Sequence, residues 1–259
     1  MSELGCGYRM VLAYDGTAYH GWQAQAGVST VEGVLVNALA AVTGERVRVR
    51  AAGRTDAGVH AHGQVVALVL RRNWSPPQLL AACNAHLPQD VRVLAVDRAE
   101  LDFDPRRRAW RRTYRYLLAP ASVSRPIGRQ YAWRVSPYLE VEPMRAAAQL
   151  VLGRHDFAGF GHSPEAGGST VRTIDMAAIE PGSGMIAVEV RGDAFLRGML
   201  RSLVGALVAV GEGRLRLGEF AKVVDGGPRG ANSWRLAPAH GLHQWRVDYE
   251  RPQLGGAKG

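Results

Sequence analysis

Cysteine and lysine are nearly missing from this chain. Only Cys6 and Cys83 are present, far apart and without Cys-x-x-Cys spacing, which excludes a zinc ribbon and a disulfide-stapled scaffold. Lysine occurs twice, at Lys222 and Lys258, among 32 basic residues, so thirty are arginine. No secretory leader pattern is read in the opening residues, and the expectation is of reduced thiols in a cytoplasmic protein. Long apolar runs are lacking as well. The longest, around Phe195 to Val210, is interrupted by Arg197 and Arg201 and is too short to span a bilayer, so no membrane partner is expected.

What the chain has in excess is positive charge. The formal net charge is +9, and a polyanion is its natural partner, because neutralising phosphates releases counterions. Arginine adds a planar fork for phosphate and a flat face for stacking on bases. A chain of 259 residues, 47% hydrophobic, buries a real core in one large or two small domains.

Charge and turn-forming glycines concentrate in Gly53-Arg54-Thr55-Asp56-Ala57-Gly58-Val59-His60-Ala61-His62-Gly63-Gln64-Val65. The preceding run Val47 to Ala51 alternates apolar and basic residues as a half-exposed strand does, and the run Gln64 to Leu70 is rich in Val and Leu. Arg54 and Asp56 therefore fall on a glycine-bracketed connection between strands. A carboxylate placed there among cations stays ionised and available as nucleophile or base, while the bland alternative is a local Arg54–Asp56 ion pair.

Gly-Arg-Thr-Asp-Ala-Gly at 53–58, followed by Val59-His60-Ala61, resembles the catalytic motif of the tRNA pseudouridine synthase A family. The resemblance extends, in order, through Tyr14-Asp15-Gly16-Thr17, Gly21-Trp22-Gln23-Ala24-Gln25, Asn84-Ala85-His86-Leu87-Pro88, Arg111-Arg112-Thr113-Tyr114-Arg115-Tyr116, Ala194 to Arg201 with Val204-Gly205, and Gly241-Leu242. Nearly the whole chain is covered. Gly198, Ser202 and the segment Gly226 to Leu236 depart from the family's usual pattern.

Taken in order, the pattern predicts a strand over 8–14 and a helix from an N-cap at Thr30 to a stop at Gly44. Strands over 47–51 and 64–70, a helix from Ser75-Pro76-Pro77 to about Ala85, and a strand over 91–96 follow. This β-α-β-β-α-β order is that of ferredoxin-like folds. A second set is expected from strands 112–118 and 130–134, helix 141–152, strands 170–180 and 185–191, helix 195–210, a short helix over 217–224 and strand 242–249. The Gly/Ser/Pro segment 159–170 reads as mobile. The fold class is thus α+β, with two βαββαβ units and mainly antiparallel sheets. The join near Phe103-Asp104-Pro105 divides it into 1–104, carrying the Asp loop, and 105–259, completing a cleft. The resemblance implies the same two-domain pseudouridine synthase fold.

The resemblance further implies uridine isomerisation at positions 38, 39 and 40 of the tRNA anticodon stem-loop, by a homodimer needing no cofactor or metal. Asp56 is the implied nucleophile and Arg201 its pairing cation, on a helix whose other residues suit a core. Tyr114 belongs against the extracted uracil, and Arg54 in the space the flipped base vacates. Arg106, Arg107, Arg108, Arg111, Arg112 and Arg197 are candidate RNA contacts. Two rivals stand beside this reading. One is a non-catalytic RNA-binding protein. The other is a metal-dependent amidohydrolase using the His60-x-His62 pair, for which the eight-fold strand–helix alternation of a barrel is missing.

Overall fold

The structure, a computed structural model, describes residues 5–121, 126–163, 167–182, 184–230 and 234–250. Strand β1 (Cys6–Tyr14) buries Tyr8, Met10, Leu12 and Tyr14 on one face by simple alternation. Helix α1 (Val31–Thr43) begins where the Thr30 hydroxyl accepts the Gly33 N–H and ends at Gly44 in the left-handed region, φ +72°. Strands β2 (Arg50–Ala51) and β3 (His60–Leu70), helix α2 (Pro76–His86) and strand β4 (Val91–Ala99) complete the first unit.

The second unit comprises β5 (Arg111–Pro120), β6 (Trp133–Val135), α3 (Val141–Leu150), β7 (Gly153–Asp156), β8 (Val171–Pro181) and β9 (Ile186–Gly192). After these come α4 (Met199–Gly211), α5 (Leu217–Val224) and β10 (Leu242–Asp248). Strand order is β4-β1-β3 with β2 on β3 in the first unit, and β10-β5-β9-β8-β7 in the second. Each reproduces the fourth-first-third-second order of a ferredoxin-like sheet, and all these neighbours are antiparallel.

Among the described residues the two sheets fuse into one of ten strands. The seam is a short parallel pairing of β3 with β10, His60 opposite His243 and Ala61 opposite Gln244. One apolar cluster packs α1 and α2 under the first unit, and another gathers α3, α4 and α5 under the second. The seam lies directly after the Asp56 loop, so that loop stands where both units meet.

Several elements differ from expectation, among them β7, which the sequence pattern does not contain, and β3, which starts at His60 rather than Gln64. The ladder of β2 is two residues long, although Val47 and Val49 are buried and Arg48 is exposed as alternation requires. The helix expected from residue 195 starts at Met199, because Gly198 takes φ +74° and Arg197 forms a bridge with His162. Near 130–134 a 3-10 turn (Arg129–Tyr131) precedes β6, which runs parallel to β5. Residues 164–166 of the segment read as mobile lie outside the described residues.

Candidate active site

The loop over 52–59 is fixed through its backbone on both sides of Asp56. The Ala52 N–H donates to the Val65 carbonyl at 2.8 Å, and the Gln64 side-chain amide donates to the Gly53 carbonyl at 2.8 Å. Thr55 is bonded twice, its hydroxyl to Tyr14 Oη at 2.8 Å and its carbonyl to the Trp22 N–H at 3.0 Å. Gly21, at φ +91°, makes that approach possible, since a Cβ there would stand 2.7 Å from the Thr55 oxygen. Beyond Asp56, the Val59 N–H returns to the Asp56 carbonyl at 3.1 Å and the Gly58 N–H donates to Tyr19 at 3.3 Å. The backbone is held and the carboxylate is left reachable, its side chain 41% exposed.

Arg201, in the first turns of α4, brings the cation. Its Nη1 lies 3.4 Å from Asp56 Oδ2, and its Nε donates to the Ala237 carbonyl at 2.8 Å. The Ala237 N–H donates back to the Arg201 carbonyl at 3.1 Å. The expected pair is therefore present, while Arg54 is exposed and the local Arg54–Asp56 pair does not form among the described residues.

Tyr114, on β5, is buried beside this pair. Its ring meets Phe195 edge-on, centroids 5.2 Å apart. Burial pushes its phenol up to about 12; the Arg112 cation opposes that and the Asp56 charge adds to it. At neutral pH the group is a protonated donor with a flat apolar face. Tyr14, bonded to Thr55, is likewise pushed up by burial. Phe195 reaches the site because residues 194–198 stay outside α4, so the helical reading of that stretch hid it.

The arginine run divides. Arg106, Arg107 and Arg108 are exposed, but Arg108 is paired with Glu100 and Asp102. Arg111 pairs with Asp175 and packs on the Trp110 ring. Arg112 is 8% exposed and donates to the carbonyls of Asp193, Arg106 and Ala52, at 2.5, 2.6 and 3.4 Å. This departs from the expected phosphate contact: Arg112 ties the Asp loop to the second unit from inside. Arg197 is exposed at the mouth of α4.

His60 is engaged at both ring nitrogens. Nδ1 accepts the Gly16 N–H at 3.0 Å with Asp15 at 3.1 Å, and Nε2 faces the carbonyls of Gln130 and His240 at 3.1 and 3.2 Å. His62 turns to His243, 3.3 Å away, and to the Trp245 ring. The pair is thus a pin across the seam, and among the described residues no group of three or more His, Cys, Asp or Glu side chains is placed to hold a metal ion.

An α+β sheet of two fused βαββαβ units, with an Asp–Arg pair and a buried tyrosine at the seam, has the fold of the pseudouridine synthases. The profile of the tRNA pseudouridine synthase family matches residues 10–106 and 147–250, and the chain belongs to that family. Among curated relatives, the tRNA pseudouridine synthase A of Methylobacterium sp. (strain 4-46) is 42% identical over 246 residues, 95% of this chain and 98% of that one. That of Methylacidiphilum infernorum is 40% identical over 249 residues, 95% and 97% of the two chains. The chain is accordingly an isomerase acting on uridine in tRNA. No helix among the described residues is long and apolar enough to cross a membrane.

Proposed function

We propose that the chain isomerises uridine to pseudouridine at positions 38, 39 and 40 of the tRNA anticodon stem-loop, with Asp56 as the nucleophile. The N1–C1′ bond of uridine breaks, the freed uracil turns in the pocket, and a C5–C1′ bond forms. The C5 proton leaves and N1 gains one, so substrate and product have equal mass. Asp56 supplies the anion and Arg201 holds it. Tyr114 offers a flat face and a neutral donor to the extracted base, and exposed Arg54 stands by the vacated stack. The observation that carries this reading is the 3.4 Å contact between Arg201 and Asp56, residues 145 apart in sequence.

In this reading residues 1–104 form the domain that carries the Asp loop and 105–259 the domain that closes the cleft. The enzyme works in the cytoplasm as a homodimer gripping tRNA through exposed arginines, Arg197 and Arg107 among them. Asp56→Asn tests the chemistry. The shape is kept and the charge removed, so pseudouridine formation on unmodified tRNA should vanish. Affinity should stay within about tenfold, roughly 1.4 kcal/mol. Product is mapped by a pseudouridine-specific adduct, and a folded Asp56→Asn protein acting at the wild-type rate would remove Asp56 from the mechanism.

A further inference from the structure

The segment 234–241, between α5 and β10, is fixed to α4, β5 and β3. Trp234 Nε1 donates to Ser202 Oγ at 3.0 Å, and Ala237 exchanges its two hydrogen bonds with Arg201. The Tyr116 hydroxyl donates to the Pro238 carbonyl at 2.7 Å, and the His240 carbonyl faces His60 Nε2. Trp234 is 3% exposed, stacked on Phe160 with centroids 5.5 Å apart and covered by the Arg229 guanidinium. Gly205, four residues after Arg201, lets the segment lie on α4, for a Cβ there would stand 2.1 Å from the Arg235 oxygen.

This strap has a bearing on the arginine. A guanidinium has several rotamers, and its contact to Asp56 is at the outer limit of a hydrogen bond, so that contact alone does not hold the group still. The Nε bond to Ala237 sets the plane and aims Nη1 at the carboxylate. The Ala237 carbonyl is placed in turn by two anchors on adjacent residues of α4, the Arg201 carbonyl and the Ser202 hydroxyl, the latter through Trp234. Ser202 is 2% exposed, so its oxygen has no solvent to bond instead.

We propose that Ser202 and Trp234 are positioning residues for isomerisation, their hydrogen bond fixing the strap whose Ala237 carbonyl aims Arg201 at Asp56. The proposal rests on the reading of Arg201 as the cation of Asp56.

Trp234→Phe keeps a six-membered aromatic ring and deletes the pyrrole half of the indole with its N–H, and Ser202→Ala deletes the acceptor alone. Each should lower the single-turnover rate about tenfold, less than the roughly hundredfold that a misplacement of about 1 Å can cost, with the Kd for unmodified tRNA within twofold. In an Arg201→Ala background the same changes should add no further loss. Wild-type rates in both variants, with Arg201→Ala slowed, would overturn the strap's role and leave the Arg201 reading standing. A tenfold loss that persists in the Arg201→Ala background would make the bond general packing and overturn the proposal. A wild-type rate in Arg201→Ala would overturn both. Thermal melts accompany each variant, and if Trp234→Phe does not fold, Ser202→Ala decides by the same criteria.

Discussion

Removal of the Arg201 guanidinium has an effect that the geometry sizes. Its Nη1 stands 3.4 Å from Asp56 Oδ2, with the two side chains 20% and 41% exposed. At that distance unit charges interact by about 5 kcal/mol at an effective dielectric near 20 and by about 1 kcal/mol in water. Asp56 faces solvent on one side, so screening places the pair in the lower part of that range, about 1–3 kcal/mol. If the pairing is made to the reacting form of Asp56, Arg201→Ala should slow the chemical step roughly tenfold to hundredfold. Arg201→Lys should fall between, since a single ammonium cannot bond Ala237 and Asp56 in one fixed plane. The assay is tritium release from uracil C5 with enzyme in excess over unmodified tRNA, so that product release does not mask the step. A folded Arg201→Ala protein releasing tritium at the wild-type rate refutes the pairing.

Arg112→Ala should act on folding: it leaves the carbonyls of Ala52, Asp193 and Arg106 without their donor and costs about 3–5 kcal/mol, read as a fall of about 10 °C in melting temperature, with tRNA affinity within threefold for the folded fraction. A loss of affinity without loss of stability would return Arg112 to the RNA surface. Burial lowers the His243 pKa to about 4, and His62 and His240 shift in the same direction. These rings bind fewer protons folded than unfolded, so stability should decline as pH falls from about 6.5 toward 4, and His243→Gln should flatten the decline in a melt series. Affinity for tRNA should drop on the order of a thousandfold between 50 and 200 mM salt if about six phosphates are contacted. Arg107→Ala should reduce that slope more than Arg108→Ala, since Arg108 already faces Glu100 and Asp102; equal slopes would show that the two acids do not neutralise it.

Helix α1 was legible to the residue because both its ends are local chemistry, a Thr30 hydroxyl and a left-handed Gly44. The start of α4 was not, because Phe195 and Leu196 fit the apolar period of the helix that follows them. What breaks the period there is Gly198 in the left-handed region together with a bridge from Arg197 to His162; the glycine is a local sign, the bridge a long-range contact without one. The same limit applies to β2, whose alternation of Val47, Arg48 and Val49 is read correctly although most of it forms no ladder. Pairing partners decide a ladder, and β2 meets β3 only at Arg50 and Ala51. The βαββαβ pattern of the first unit followed from element order, that of the second was expected from its likeness to the first and from the family resemblance, and the fusion of the two sheets had no sequence signal.

The site divides along the same line, with one exception that alternation could have caught. Asp56 stood out by its motif and Arg201 by being an arginine in an apolar helix. The strap over 234–241, Gln64 and Phe195 act through contacts across distant stretches, which leave no periodic mark. Arg112 is different. On β5 it shares a face with Tyr114 and Tyr116, and that face is buried, while Arg111 and Arg115 point the other way to Asp175 and Glu189. Period two therefore assigns Arg112 inward from the sequence, against the habit of reading a cluster of arginines as one phosphate-facing surface. An inward arginine next to a candidate active-site tyrosine needs acceptors, and in this fold the backbone carbonyls of Ala52, Arg106 and Asp193 supply them. The charge that marks this chain as a polyanion binder thus also serves, at one position, to hold the Asp56 loop against the second unit.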